Sequence, residues 1–138
     1  MTSRGPRSHA VQLAIGNLLP RIEPNGYLPG MFYADWEPAG FSSCLTGSAQ
    51  IAIVCSRLAE LTGEARYCVA ADRLVDQLKA FQDLATPIDE ARGALPGSFP
   101  LFGEYMRGGY PNWATKYLLD ALLLQDPAHR PKDAASAT

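Results

Sequence analysis

Residues whose side chains could do chemistry gather in two stretches. One carries Tyr33, Asp35, Trp36, Glu37 and Phe41. The other carries Phe102, Glu104, Tyr105, Arg107, Tyr110, Asn112 and Trp113. Rings with interspersed carboxylates suit a carbohydrate: rings stack on sugar faces, and carboxylates accept hydrogen bonds from hydroxyls. Paired carboxylates can also act as acid and base in glycoside cleavage. Asp35, Glu37 and Glu104 are therefore the candidate catalytic groups. Tyr33, Trp36, Tyr105, Arg107, Tyr110, Asn112, Trp113 and Lys116 are the candidate ligand contacts. In an extended loop Asp35 and Glu37, two positions apart, point the same way. No spacing rule joins either of them to Glu104. The plain alternative is that the rings pack the loops onto helix ends while the acids face water.

The other reactive types offer less. Lys116 and Asp120 stand four apart on an otherwise apolar segment, which reads as a buried ion pair or as a Lys held at a site mouth for an anion. Cys44 precedes a helix start, a place that can lower a thiol pKa, but no histidine lies near it in sequence and a structural role is expected. Cys55 and Cys68 read as small core residues. The three cysteines form no CxxC pair, so neither a zinc site nor a disulfide framework is indicated, and a reducing cytoplasm is the simplest compartment. His9 and His129 sit near the ends with no third ligand. No phosphate-loop pattern exists. No metal and no cofactor is expected.

The chain has 138 residues, one domain's worth, and enough to bury a core. Hydrophobic residues make up 47% and charged residues 19%, a globular composition rather than a disordered one. A net charge of −2 argues against a nucleic-acid partner. The apolar stretch at 10–19 is broken by Gln12, Gly16 and Asn17, too broken for a signal-peptide core and too short for a membrane span.

The elements that must position these residues read as four helices. Apolar spacing predicts the first over 8–22, ended or kinked by Pro20. The second, over 47–62, has Thr46 as its expected N-cap and is apolar nearly all round, the pattern of a buried helix. Gly63 ends it. The third, over 64–84, carries a single stripe of Tyr67, Ala71, Leu74, Leu78 and Phe81, and forms an antiparallel hairpin with the second. The fourth spans 111–125, with Pro111 suited to its first position. No alternating strand pattern is present. Two connections, 23–45 and 85–110, are long enough to be functional.

These connections resemble each other. Gly26-Tyr27-Leu28-Pro29-Gly30-Met31-Phe32 and Gly93-Ala94-Leu95-Pro96-Gly97-Ser98-Phe99 both read G-x-L-P-G-x-F, 67 residues apart from Gly26 to Gly93. Each is followed by aromatic and acidic residues, then by an apolar helix. The expected organisation is one all-α domain over 1–127, made of two tandem αα-hairpin units (about 8–63 and 64–126), with a flexible tail at 128–138. Stacking such units buries a continuous core.

Outer and inner helices alternating in this way, with long loops at one end of the inner ones, resemble the α/α toroid. That architecture is shared by six-hairpin glycosidases, polysaccharide lyases, sugar epimerases and prenyltransferase-like proteins. The resemblance rests on Cys44-Leu45-Thr46-Gly47-Ser48-Ala49-Gln50, on Leu61-Thr62-Gly63-Glu64-Ala65-Arg66-Tyr67, and on Gly97-Ser98-Phe99-Pro100 with Tyr110-Pro111-Asn112-Trp113-Ala114-Thr115-Lys116. These runs look like the C-terminal hairpins of uncharacterised bacterial toroid proteins, over roughly residues 25–125. The resemblance implies a site at the N-terminal ends of the inner helices, taking a glycan or related small ligand. Any enzyme of this kind would be a carbohydrate-active hydrolase, lyase or epimerase. A full toroid has more hairpins than this chain. It is then a fragment, a small relative, or a core completed by a second copy or a companion protein. The alternatives are a non-catalytic interaction and oligomerisation module, and a terpenoid-cyclase-like pocket in which Asp35 or Glu104 supplies a proton.

Overall fold

In a computed structural model of the chain, residues 5–128 are described. His129 and all of the expected tail except Ala128 fall outside them. The fold is all-α: α1 (Pro6–Leu18), α2 (Leu45–Thr62), α3 (Ala65–Phe81) and α4 (Asn112–Gln125), plus two short strands, β1 (Ser43–Cys44) and β2 (Ser98–Phe99).

Pro20 acts as its chemistry dictates. It cannot continue an α-helical hydrogen-bond ladder, so α1 stops at Leu18 and tightens into a 3₁₀ turn over Leu19–Arg21. The expected apolar stripe of α1 is only partly buried. Ile15 and, just beyond, Ile22 enter the core, but Val11 is 42% exposed because α1 meets the rest of the fold mainly through its C-terminal half.

α2 is the central helix, packed on both α3 and α4. Its N-cap is Cys44 rather than Thr46. The Cys44 sulfur accepts from the Gly47 N–H at 3.3 Å, while Thr46 lies within the first turn with a buried, unpartnered hydroxyl. Ala49, Ala52, Cys55, Leu58 and Ala59 are buried along its length. Burial is not all-round, however. Ile53 and Arg57 line an open groove against Leu123 and Leu124, and Leu61 is exposed. Gly63, at φ 71°, ends α2 in the left-handed region and turns the chain into α3. The α3 stripe packs as expected, with Tyr67, Leu74 and Leu78 fully buried. α3 ends at Phe81, three residues before Leu84.

Pro111 is the N-cap of α4 rather than its first residue. Ala114, Leu118 and Ala121 face inward. Ala114 and Leu118 join Leu45, Ala49, Leu78 and Leu95 in the part of the core below the second loop, while Ala121 packs in the larger cluster with Ala52 and Cys55. The opposite flank of α4 is open, with Leu119 56% and Leu123 55% exposed.

The strands were not legible as alternation because each has two residues. They pair antiparallel, Ser43 with Phe99 and Cys44 with Ser98, and so join the end of the first loop to the second G-x-L-P-G-x-F segment. The two segments share backbone features. Gly26 and Gly93 have φ of 87° and 88°, which glycine adopts freely and other residues do not. Leu28 and Leu95 are buried. The Gly30 N–H donates to the Ser42 carbonyl, and the Gly97 N–H to the Gly109 carbonyl, each twelve residues on.

Candidate functional site

The two loops meet at the N-terminus of α2, and serines hold them there. The Ser42 hydroxyl accepts from the Glu104 N–H at 3.0 Å and donates to the Glu104 carboxylate at 3.2 Å. The Ser98 hydroxyl accepts from the Tyr105 N–H at 3.0 Å and donates to the Tyr105 carbonyl. Gly103 threads between them: a Cβ there would stand 2.6 Å from the Ser42 Cβ and 2.8 Å from that of Ser98. Two buried hydroxyls thus set where Glu104 and Tyr105 can be.

This junction encloses two adjoining cavities. One, of about 140 Å³, is lined by Met31, Ser42, Cys44, Glu104 and Tyr105. The other, of about 250 Å³, is lined chiefly by Leu18, Leu28, Phe32, Trp36 and Ile51, with Ser48. Gly30 and Cys44 line both. Both are lined mostly by apolar surface; the smaller also presents the Ser42 hydroxyl and the Glu104 carboxylate, and the larger the Phe32 and Trp36 rings, and together they form one cleft.

Apart from Arg107, the predicted residues divide into three places. Trp36, Glu104 and Tyr105 line the cleft, and the Trp113 indole donates to the Tyr105 hydroxyl at 2.9 Å, bracing that ring. Tyr33, Asp35 and Glu37 stand out from it on a small hairpin closed by the Phe32–Pro38 bridge. This loop is not extended, as the alternation of Asp35 and Glu37 required. The Trp36 N–H donates to the Tyr33 carbonyl and Trp36 takes φ 67°, so the chain turns tightly and Asp35 accepts from the Glu37 N–H instead. Arg21 supports the turn by donating to the Trp36 carbonyl. Tyr110, Asn112 and Lys116 lie elsewhere, along a groove of about 450 Å³ beside Arg92 and Leu119. Arg107 is exposed.

The Lys116–Asp120 pair is not buried: the two side chains are 61% and 39% exposed, with the Lys ammonium also over the Tyr117 ring. Asp120 raises the Lys116 pKa by hydrogen bonding.

Ser42, Ser48 and Met31 also line the cleft, although nothing in their sequence surroundings marks them as site groups. Cys44 has the structural role expected of it, as the N-cap of α2. Burial pushes its thiol pKa up, outweighing the opposing hydrogen bonds from the Gly47 and Thr46 N–H groups. Tyr27 is also raised, first by burial and then by the Glu23 and Glu104 carboxylates. Among the described residues, no group of three or more His, Cys, Asp or Glu side chains is placed to hold a metal ion, and no helix is long and apolar enough to cross a membrane. No family model, curated protein or solved structure matches the chain.

Proposed function

We propose that this chain is a toroid-like helical binding domain whose cleft at the start of α2 takes a small ligand with hydroxyls on one side and an apolar face on the other. A glycan unit is the class that fits. The observation that carries the reading is the lining of two adjoining, mostly apolar pockets that share Gly30 and Cys44: the Phe32 and Trp36 rings in one, Ser42, Glu104 and Tyr105 in the other. Rings take a sugar face, and Glu104 accepts from hydroxyls. Of the three candidate catalytic carboxylates only Glu104 lines the cleft, so binding is the activity favoured for the single chain, and paired-carboxylate cleavage is not.

A thermal-shift screen against mono- and oligosaccharides tests this. The expected result is stabilisation by at least one sugar, lost in Trp36→Ala and in Glu104→Gln. A flat response across the panel, or a response that both variants retain, counts against it.

A second reading, an interaction and oligomerisation module, is favoured by the open apolar flank of α4 at Leu119 and Leu123.

A further inference from the structure

The internal offset of 67 residues relates contacts as well as sequence. Gly26 and Gly93, Leu28 and Leu95, the Gly30–Ser42 and Gly97–Gly109 hydrogen bonds, and the first residues of α2 and α4 all keep it. The interface between the two halves can therefore be moved along the chain by one unit, and the surface it lands on inspected.

Two contacts define that interface at the loops. The Leu45 N–H at the start of α2 donates to the Gly97 carbonyl at 2.9 Å. The Glu104 carboxylate lies over Gly40, where a Cβ would displace it, and accepts from Ser42. Shifted by one unit, the inner-helix side becomes Asn112 for Leu45 and Arg107 for Gly40. The loop side, Gly97 and Glu104, becomes Gly30 and Glu37 of another molecule. Within one chain, Arg107, Asn112 and Glu37 are all exposed. Because Arg107 carries a Cβ where Gly40 has none, Glu37 does not sit as Glu104 does, but the shift still sets an exposed guanidinium near an exposed carboxylate, although nothing in the internal contact requires opposite charges there. The strand pair Ser43–Phe99 maps in the same way to Tyr110 beside Phe32. Ala52 of the buried α2 face maps to the exposed Leu119.

We infer that the chain associates head to tail with a second copy, the open end of its second unit receiving the first loop of the next molecule, with Glu37 of one copy paired to Arg107 of the other. The interface is heterologous, and each molecule has one donor end and one acceptor end. It continues a contact already made inside the chain and adds charge complementarity that fixes register. It also carries Tyr110 and Asn112 to the Gly30 and Phe32 edge of the neighbour's cleft. The inference does not depend on what the cleft binds.

Light scattering on the full chain, without ligand, tests it. The wild-type mass is expected to rise above the 14.9 kDa of one chain as concentration increases. Glu37→Arg and Arg107→Glu each set like charges together and are expected to weaken association roughly tenfold or more. The double variant, and an equimolar mixture of the two single variants, are expected to recover it, because both restore opposite charges at every contact. Circular dichroism checks that each variant keeps its helix content. A wild-type chain that stays at 14.9 kDa overturns the inference. So does an assembly that neither single variant weakens, or one that both weaken and neither the double variant nor the mixture restores.

Discussion

The Ser42 hydroxyl accepts from the backbone and donates to the carboxylate of the same residue, Glu104, which lies 62 positions away. One buried serine thereby anchors the second loop to the start of the central helix. Removing it leaves the Glu104 N–H without its partner and frees the carboxylate. Ser42→Ala is expected to destabilise the fold by about 1–3 kcal/mol, the usual cost of an orphaned polar group. Glu104→Gln keeps the N–H bond and an acceptor oxygen, and is expected to cost less. Urea unfolding of the two variants side by side checks the order.

Gly26 and Gly93 share a left-handed backbone but not their surroundings. A Cβ on Gly93 meets nothing within 4 Å, whereas one on Gly26 runs into the Arg73 carbonyl. Gly93→Ala therefore pays only for conformation, about 1–2 kcal/mol. Gly26→Ala adds a collision with α3 backbone and is expected to be clearly worse. Equal losses in denaturant midpoint would mean that the two loops are not packed as described.

The Cys55 thiol is buried on α2, and burial pushes its pKa up to about 12. Its folded pKa exceeds its unfolded value, so the neutral thiol favours folding. That contribution is complete below about pH 9 and fades as pH rises toward 12. Wild-type stability should fall over this alkaline window more steeply than that of Cys55→Ala, even though the variant starts lower because of its small cavity. Denaturant midpoints from pH 7 to 11 supply the comparison. Parallel curves for the two proteins would contradict the assignment.

Lys116 and Asp120 form a close pair in open solvent, and exposed pairs add little because water screens them and both side chains lose freedom. Lys116→Ala is expected to leave the unfolding midpoint unchanged within error at ordinary ionic strength. A large loss would restore the buried pair that the sequence suggested.

Much of the fold could be read from residues close together in the chain. The α2–α3 hairpin follows from local periodicity and from Gly63. The end of α1 follows from Pro20, and the kinship of the two loops from Gly26, Leu28, Gly30 and their counterparts. The cleft was less legible because its determinants are tertiary. Ser42 and Ser98 look like ordinary loop serines until Glu104 and Tyr105 are brought to them. Trp36 gives no sign in sequence of a positive φ, which glycine usually supplies, so the alternation of Asp35 and Glu37 suggested a shared direction that the turn removes. The flank of α4 was legible only in part. An apolar helix sequence does not say which face has a neighbour, and Leu119 and Leu123 face outward.

The central claim is that the two loops build a ligand cleft at the start of α2. The most direct measurement is a two-dimensional amide NMR titration of the full chain with a panel of mono- and disaccharides. The account predicts saturable shifts centred on Gly30, Met31, Ser42, Cys44 and Tyr105 for at least one sugar, abolished in Trp36→Ala. Saturable shifts confined to the Tyr110–Lys116 groove, or no saturable shift with any sugar, would contradict it.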